Sequence, residues 1–180
     1  MNSIRIISGT HKGRRIKAPK HLPARPTTDM AKESLFNILN NHYYFEDISV
    51  LDLYTGTGNI AYEFASRGTE KITAVDRDSS AVKFINQTSE LFDFSIQTLK
   101  SDVIKFLEKD RSKYDVIFAD PPYNEKKENL KFLKELVFEN ELLLEEGILI
   151  LEHSKQTDLS DFSYFQYQKN YGSSVFSFFG

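Results

Sequence analysis

Between Ile48 and Leu151, short aliphatic and β-branched runs alternate with stretches whose apolar residues recur at helical spacing, and few folds satisfy that alternation. The strand-like runs are Ile48–Leu53, Lys71–Val75, Ser95–Leu99, Tyr114–Ala119 and Gly147–Leu151. The intervals predict a helix at Asn59–Arg67 and one capped by Ser79 and carrying Val82, Ile85 and Phe92. A short helix follows at Val103–Leu107, and a longer one is marked by Leu130, Leu133 and Val137. Such an order predicts an α/β fold, a mostly parallel sheet with helices on both faces. Upstream, Ala31, Leu35, Ile38 and Leu39 predict an amphipathic helix over 29–41, with Thr28 or Asp29 as its N-cap. Downstream, Phe162–Gln168 and Ser174–Phe179 lack helical periodicity and predict two more strands around a turn at Asn170–Gly172, forming an antiparallel edge.

Charge divides this chain of 180 residues unevenly. No acidic residue precedes Asp29, whereas Arg5, Lys12, Arg14, Arg15, Lys17, Lys20 and Arg25 do; the other sixteen basic residues face all 26 acidic ones. A basic arm on an acidic body suits a polyanion, and equally a solvated tail. Ile4, Ile6 and Ile7 before Gly9, with Ile16 after Gly13, predict a short hairpin with the basic residues on its turn and second strand. Two units are therefore expected, a basic arm over 1–28 and a catalytic domain over 29–180.

Val50-Leu51-Asp52-Leu53-Tyr54-Thr55-Gly56-Thr57-Gly58-Asn59-Ile60 puts two glycines between a strand and the helix after it. In open α/β sheets ligands bind there, beyond the strand ends, against amides at a helix N-terminus. Asp76 ends the next strand, where a carboxylate can accept the hydroxyl hydrogens of a ribose. Gly56 to Ala61 also satisfies the dinucleotide pattern G-x-G-x-x-G/A, so the turn alone fits an NAD enzyme as well as a methyltransferase. Asp52 shifts the balance. A carboxylate beside the turn would repel a pyrophosphate but attract the ammonium of S-adenosylmethionine. Asp102, after the third strand, suits adenine recognition or a helix cap.

Asp120-Pro121-Pro122-Tyr123 follows the fourth strand. Two prolines stiffen the segment and remove two backbone donors, leaving acceptors. The Asp120 carboxylate and the Pro121 carbonyl can each take an N–H of an exocyclic amine, with Tyr123 stacked on its base. Drawing those hydrogens out of the ring plane would localise the nitrogen lone pair. A carboxylate near pKa ~3.9 is too weak to deprotonate an aryl amine outright. Asp120 is thus expected to accept and orient, the proton leaving after methyl transfer.

At these residues the chain resembles the amino-methyltransferases, whose signature is DPPY and whose cofactor loop looks like this Asp52–Gly58 turn. More specifically, Arg5–Gly9, Gly13–Arg15, Arg25–Asp29, Lys32–Asn37 and Glu152-His153-Ser154 resemble the RsmD family, bacterial enzymes that methylate the N2 amine of one guanine in 16S ribosomal RNA. Tyr54 and Thr55 depart from the Phe and Ala common in relatives. The resemblance implies a Rossmann-like class I methyltransferase fold with seven strands, one antiparallel. It implies S-adenosylmethionine held by Asp52, Tyr54, Thr55, Gly56, Gly58, Asp76, Arg77 and Asp102, with Thr27 and Thr28 either closing over it or capping a helix. RNA phosphates would be gripped by Arg5, Lys12, Arg14, Arg15, Lys17 and Arg25. The expected substrate is 16S rRNA or a small-subunit assembly particle, and the expected state a cytoplasmic monomer with no RNA-binding tail after the last strand.

Rival readings make different demands. A DNA adenine-N6 methyltransferase would need a target-recognition domain for which 180 residues leave little room. An NAD-dependent oxidoreductase leaves DPPY and the basic arm unused, and a non-catalytic RNA-binding protein leaves five site residues unused. No apolar run approaches a membrane span, and the N-terminus lacks a signal-peptide core. Cysteine is absent, and His11, His21, His42 and His153 lack ligand spacing, so no metal is expected.

Overall fold

The computed structural model describes residues 3–22 and 27–180. Arg25, expected among the RNA-binding residues, lies outside them. A two-stranded antiparallel ribbon, β1 (Ser3–Arg5) with β2 (Arg15–Lys17), precedes helix α1 (Asp29–Asn40). The sheet strands and helices then alternate as β3 (Ser49–Leu53), α2 (Asn59–Ser66), β4 (Lys71–Asp76), α3 (Ser79–Phe92), β5 (Ile96–Lys100), α4 (Val103–Lys109), β6 (Tyr114–Ala119) and α5 (Lys127–Glu139). Strands β7 (Leu143–Ser154), β8 (Phe165–Tyr171) and β9 (Ser174–Phe179) follow.

Among the described residues, seven strands form one sheet in the order β5-β4-β3-β6-β7-β9-β8. Only β9 runs against its neighbours' common direction, pairing antiparallel with both β7 and β8. The chain reverses its direction of travel between β3 and β6, which puts the topological switch point beside both motif turns. Both faces are buried, so side chains alternate between two cores: Leu51, Ile117 and Leu149 meet Leu107, Leu133 and Val137 from α4 and α5, whereas Val50, Val116 and Ile150 meet Leu35, Phe36 and Phe64 from α1 and α2.

Several boundaries differ from expectation: β7 runs on to Ser154 and β8 to Tyr171, and three further shifts have a local cause. Asp78, not Ser79, caps α3, its carboxylate accepting from the Ser80 amide at 2.8 Å. Strand β7 begins at Leu143, four residues early, through an irregularity opposite Tyr114–Val116 where Gly147 lies so close to Leu144 and Tyr114 carbonyls that a side chain would collide. Strand β8 begins at Phe165, because buried Leu159 and Phe162 dock into the core from irregular chain before it. Among the described residues no helix is long and apolar enough to cross a membrane.

The ribbon is fixed to the body. Ile4, Ile6 and Ile16 pack on Tyr62 and Ile85. Gly9 takes a positive φ of 89° against the Ser66 carbonyl, where any Cβ would overlap backbone, and the Thr10 amide donates to that carbonyl at 2.7 Å.

Candidate active site

A cleft of about 720 Å³ opens at the C-terminal ends of β3, β4, β5 and β6. The four strand-end aspartates, Asp52, Asp76, Asp102 and Asp120, all line it, as do Thr27, Tyr54, Thr55, Gly56, Arg77 and the whole Asp120–Tyr123 segment. The two motif turns lie side by side, for the Asp120 amide donates to the Leu53 carbonyl across the switch point at 3.4 Å.

The glycine turn is tied internally. The amides of Thr55, Gly56 and Gly58 donate to the Val75 carbonyl (3.2 Å), the Asp76 carboxylate (2.8 Å) and the Thr55 carbonyl (2.9 Å). Three amides of the turn are thus committed, one of them to a carboxylate that would repel a pyrophosphate. Asp76 also accepts from the Asp78 amide at 2.9 Å, so both its oxygens are oriented before any ligand arrives. Tyr54 adopts a left-handed conformation (φ 57°), unusual for a bulky residue, and burial pushes its phenol up to about 12. Gly58 does not line the cleft. It caps α2 at φ 89° with the Tyr62 ring where a side chain would be, so its role in the structure is steric.

Asp52 is almost completely buried, and its carboxylate accepts from the Thr55 hydroxyl at 2.6 Å. Burial pushes it up to about 7, against the lowering effect of that hydrogen bond. Asp102 caps α4, accepting from the Lys105 amide at 3.0 Å, and its neighbours Val103 and Ile104 supply an apolar wall. Asp78 and Glu125 add two further carboxylates, and among the described residues Arg77 is the one basic side chain in the lining. Such a donor set selects a cation with hydroxyl and amine donors over a phosphate diester. It fits S-adenosylmethionine, and the committed turn amides disfavour a dinucleotide.

The paired threonines separate. Thr28 is the N-cap of α1, its hydroxyl accepting from the Ala31 amide at 3.2 Å, and stays outside the cleft. Thr27 is a buried part of the wall, and its hydroxyl donates to Glu152 at 2.7 Å. The ribbon's basic residues also stay outside: Lys12, Arg14, Arg15 and Lys17 are exposed, Arg14 leaning over the Phe92 ring, while Arg5 is held by Asp29 at 2.9 Å.

Sequence reasoning missed the joint between ribbon and cleft. Glu63, fully buried on α2, accepts from the Ile7 and Ser8 amides at 2.8 and 3.1 Å and from Arg67 at 2.9 Å, with Lys32 at 3.5 Å. The Lys32 ammonium donates to the Arg5 carbonyl and to Asn59 Oδ1, and Asn59 Nδ2 donates to the Thr27 carbonyl at 3.2 Å. Burial draws Lys32 below the ordinary lysine value although Glu63 raises it. A signal existed: Glu63 is the one carboxylate in the otherwise largely apolar stretch Ile60-Ala61-Tyr62-Glu63-Phe64, and such a carboxylate needs cationic or amide partners.

The model of the family described as conserved hypothetical protein 95 matches residues 4–180, nearly the whole chain. The chain belongs to this family, the RsmD family. YlbH of Bacillus subtilis, provisionally named an rRNA methyltransferase, is 36% identical over 163 residues, covering 88% of this chain and 86% of its own. Ribosomal RNA small subunit methyltransferase D of Escherichia coli K12 is 28% identical over 157 residues, covering 87% and 77%. Among solved structures, the provisionally named methyltransferase yhhF of E. coli superposes with a TM-score of 0.86 at 25% identity over 98% of this chain and 97% of its own. The Thermus thermophilus 16S rRNA N2 G1207 methyltransferase RsmC, in complex with AdoMet and guanosine, shares the fold at a TM-score of 0.75 and 21% identity, over 98% of this chain and 49% of its own. The architecture is that of the Rossmann-like class I methyltransferases.

Proposed function

We propose that this chain transfers a methyl group from S-adenosylmethionine to the exocyclic N2 amine of a guanine in 16S ribosomal RNA. The observation that carries the reading is the acidic cleft itself, four strand-end aspartates around one cavity with Asp120-Pro121-Pro122-Tyr123 on its rim. The guanine and the small-subunit RNA follow from the family, whose E. coli member is named for that RNA, and from the guanosine bound by RsmC.

S-adenosylmethionine supplies an electrophilic methyl on a sulfonium, the leaving group included, so the protein contributes position and electrostatics. Asp52 and Thr55 would hold its ammonium end, Asp76 its ribose hydroxyls, and Asp102 with Val103 and Ile104 its adenine. Asp120 and the Pro121 carbonyl accept the two hydrogens of the target amine and turn its lone pair toward the cavity. Tyr123, 39% exposed at the rim, offers its face to an unstacked base. No covalent enzyme intermediate is required. Residues 1–28 would act as an RNA arm and residues 29–180 as the catalytic unit, with Lys12, Arg14, Arg15 and Lys17 gripping phosphates that position the RNA without reading its sequence. On this reading the chain works as a monomer in the cytoplasm, on free RNA or an assembling small subunit.

The test is to incubate unmodified 16S RNA and small subunits with labelled S-adenosylmethionine and identify the labelled nucleoside. N2-methylguanosine is expected. N6-methyladenosine would overturn the target assignment, and absence of transfer would overturn the reading.

A further inference from the structure

Tyr123 is held from across the sheet. Its hydroxyl shares hydrogen bonds with the hydroxyls of Ser173 (3.2 Å) and Ser174 (3.0 Å), some fifty residues away in the chain. Both serines lie at the turn between β8 and β9. Because β9 is antiparallel, its first residue, Ser174, pairs with Ser154 at the C-terminal end of β7, beside the end of β6 from which Asp120–Tyr123 emerges. The turn is fixed in its own right. Gly172 supplies a positive φ of 60°, and the Lys155 amide donates to the Ser173 carbonyl at 3.3 Å. Three residues further along, His153 is bonded to Ser177 of β9 at 2.7 Å. The antiparallel strand thus returns two hydroxyls to the catalytic rim.

We infer that Ser173 and Ser174 are positioning residues that set the plane of the Tyr123 ring, and through it the presentation of the target base. The inference rests on the proposed stacking of that base on Tyr123. Prolines 121 and 122 fix the backbone before the ring, but a half-exposed tyrosine on a rigid backbone still samples several rotamers. A hydroxyl tether to a second, independently anchored element selects one of them. The effect belongs to the orientation of bound substrate, so it acts on kcat and little on KM.

Three variants test this: Tyr123→Phe, which keeps the ring and removes the tether; Ser173→Ala/Ser174→Ala; and the triple combination. The hydrogen bonds concerned predict that the first two each lower kcat by about three- to tenfold with KM within about twofold of wild type. The triple variant should be no worse than Tyr123→Phe, because the serines act only through the hydroxyl. In the free protein carrying 13Cζ-tyrosine, the Tyr123 signal should move in the serine variant. An unchanged kcat for the serine variant, multiplying effects in the triple variant, or an unmoved Tyr123 signal would each overturn the tether. Loss of rRNA methylation by the wild type would instead fault the proposed function, and the Tyr123 signal would still report on the tether by itself.

Discussion

The cleft and the ribbon carry opposite charge and opposite kinds of order. The cleft gathers carboxylates from four separate strand ends, holds two of them, Asp76 and Asp102, by backbone amides and buries another, Asp52, outright. The ribbon displays lysines and arginines on an exposed surface and is ordered from below, by isoleucines and by the Glu63 carboxylate. A cationic methyl donor and a polyanionic acceptor can therefore be received by one small protein without competing for the same field. The difference teaches that the repelling charges of cleft and RNA are kept apart by structure, and that a buried ion cluster carries the connection.

Removing that connection should have the largest effect. Glu63→Ala leaves Lys32 and Arg67 without their carboxylate and two ribbon amides without an acceptor, so a stability loss of about 3–5 kcal/mol is expected in urea unfolding. If the loss is under about 1 kcal/mol, the ribbon is not anchored as described. Next comes Asp120→Ala, which removes both the acceptor and its charge from the rim. By analogy with the deletion of one preorganised charge-stabilising group, kcat should fall about 100- to 1,000-fold while S-adenosylmethionine affinity stays within about threefold. Parallel loss of affinity would move Asp120 from the substrate side to the cofactor side.

Asp52 gives the comparison a pH signature. Its folded value of about 7 stands above its ordinary 3.8, so the stabilisation from keeping it protonated is complete below about pH 4 and is lost as pH rises through about 7. Wild type should therefore lose stability relative to Asp52→Asn over that interval, by a few kcal/mol at most. An ammonium ligand favours the ionised form, so S-adenosylmethionine affinity should climb as pH rises toward about 7 and level off above it. In Asp52→Asn, affinity at pH 8 should be about 10- to 100-fold weaker and the pH dependence flattened. An affinity that falls with rising pH would contradict the assignment. The smallest effect is expected at Arg5, whose partner Asp29 is exposed: Arg5→Ala should cost less than about 1 kcal/mol in stability.

What was legible in the sequence was local. The glycine turn, Asp76 and DPPY each announce themselves within a few consecutive residues, and short apolar runs alternating with helical spacing place them on strand ends. The class, the strand count and the antiparallel strand were legible together with the family resemblance. What was hidden joins distant segments. Lys32 reads as an ordinary polar position of an amphipathic helix until α2 brings Glu63 and Asn59 to it. The division of Thr27 from Thr28 depends on Glu152, more than a hundred residues away. Adjacent residues of similar capping strength, Asp78 and Ser79, cannot be ranked by composition, because either carboxylate or hydroxyl could accept the first free amide.

The division of labour is tested most directly by calorimetry on Arg14→Glu/Arg15→Glu with two ligands, S-adenosylmethionine and 16S RNA. Reversing two exposed charges should weaken RNA binding by about tenfold or more at moderate salt and flatten its salt dependence, leaving S-adenosylmethionine affinity within about twofold of wild type. Equal loss of both affinities would contradict the separation of an acidic donor cleft from a basic RNA arm.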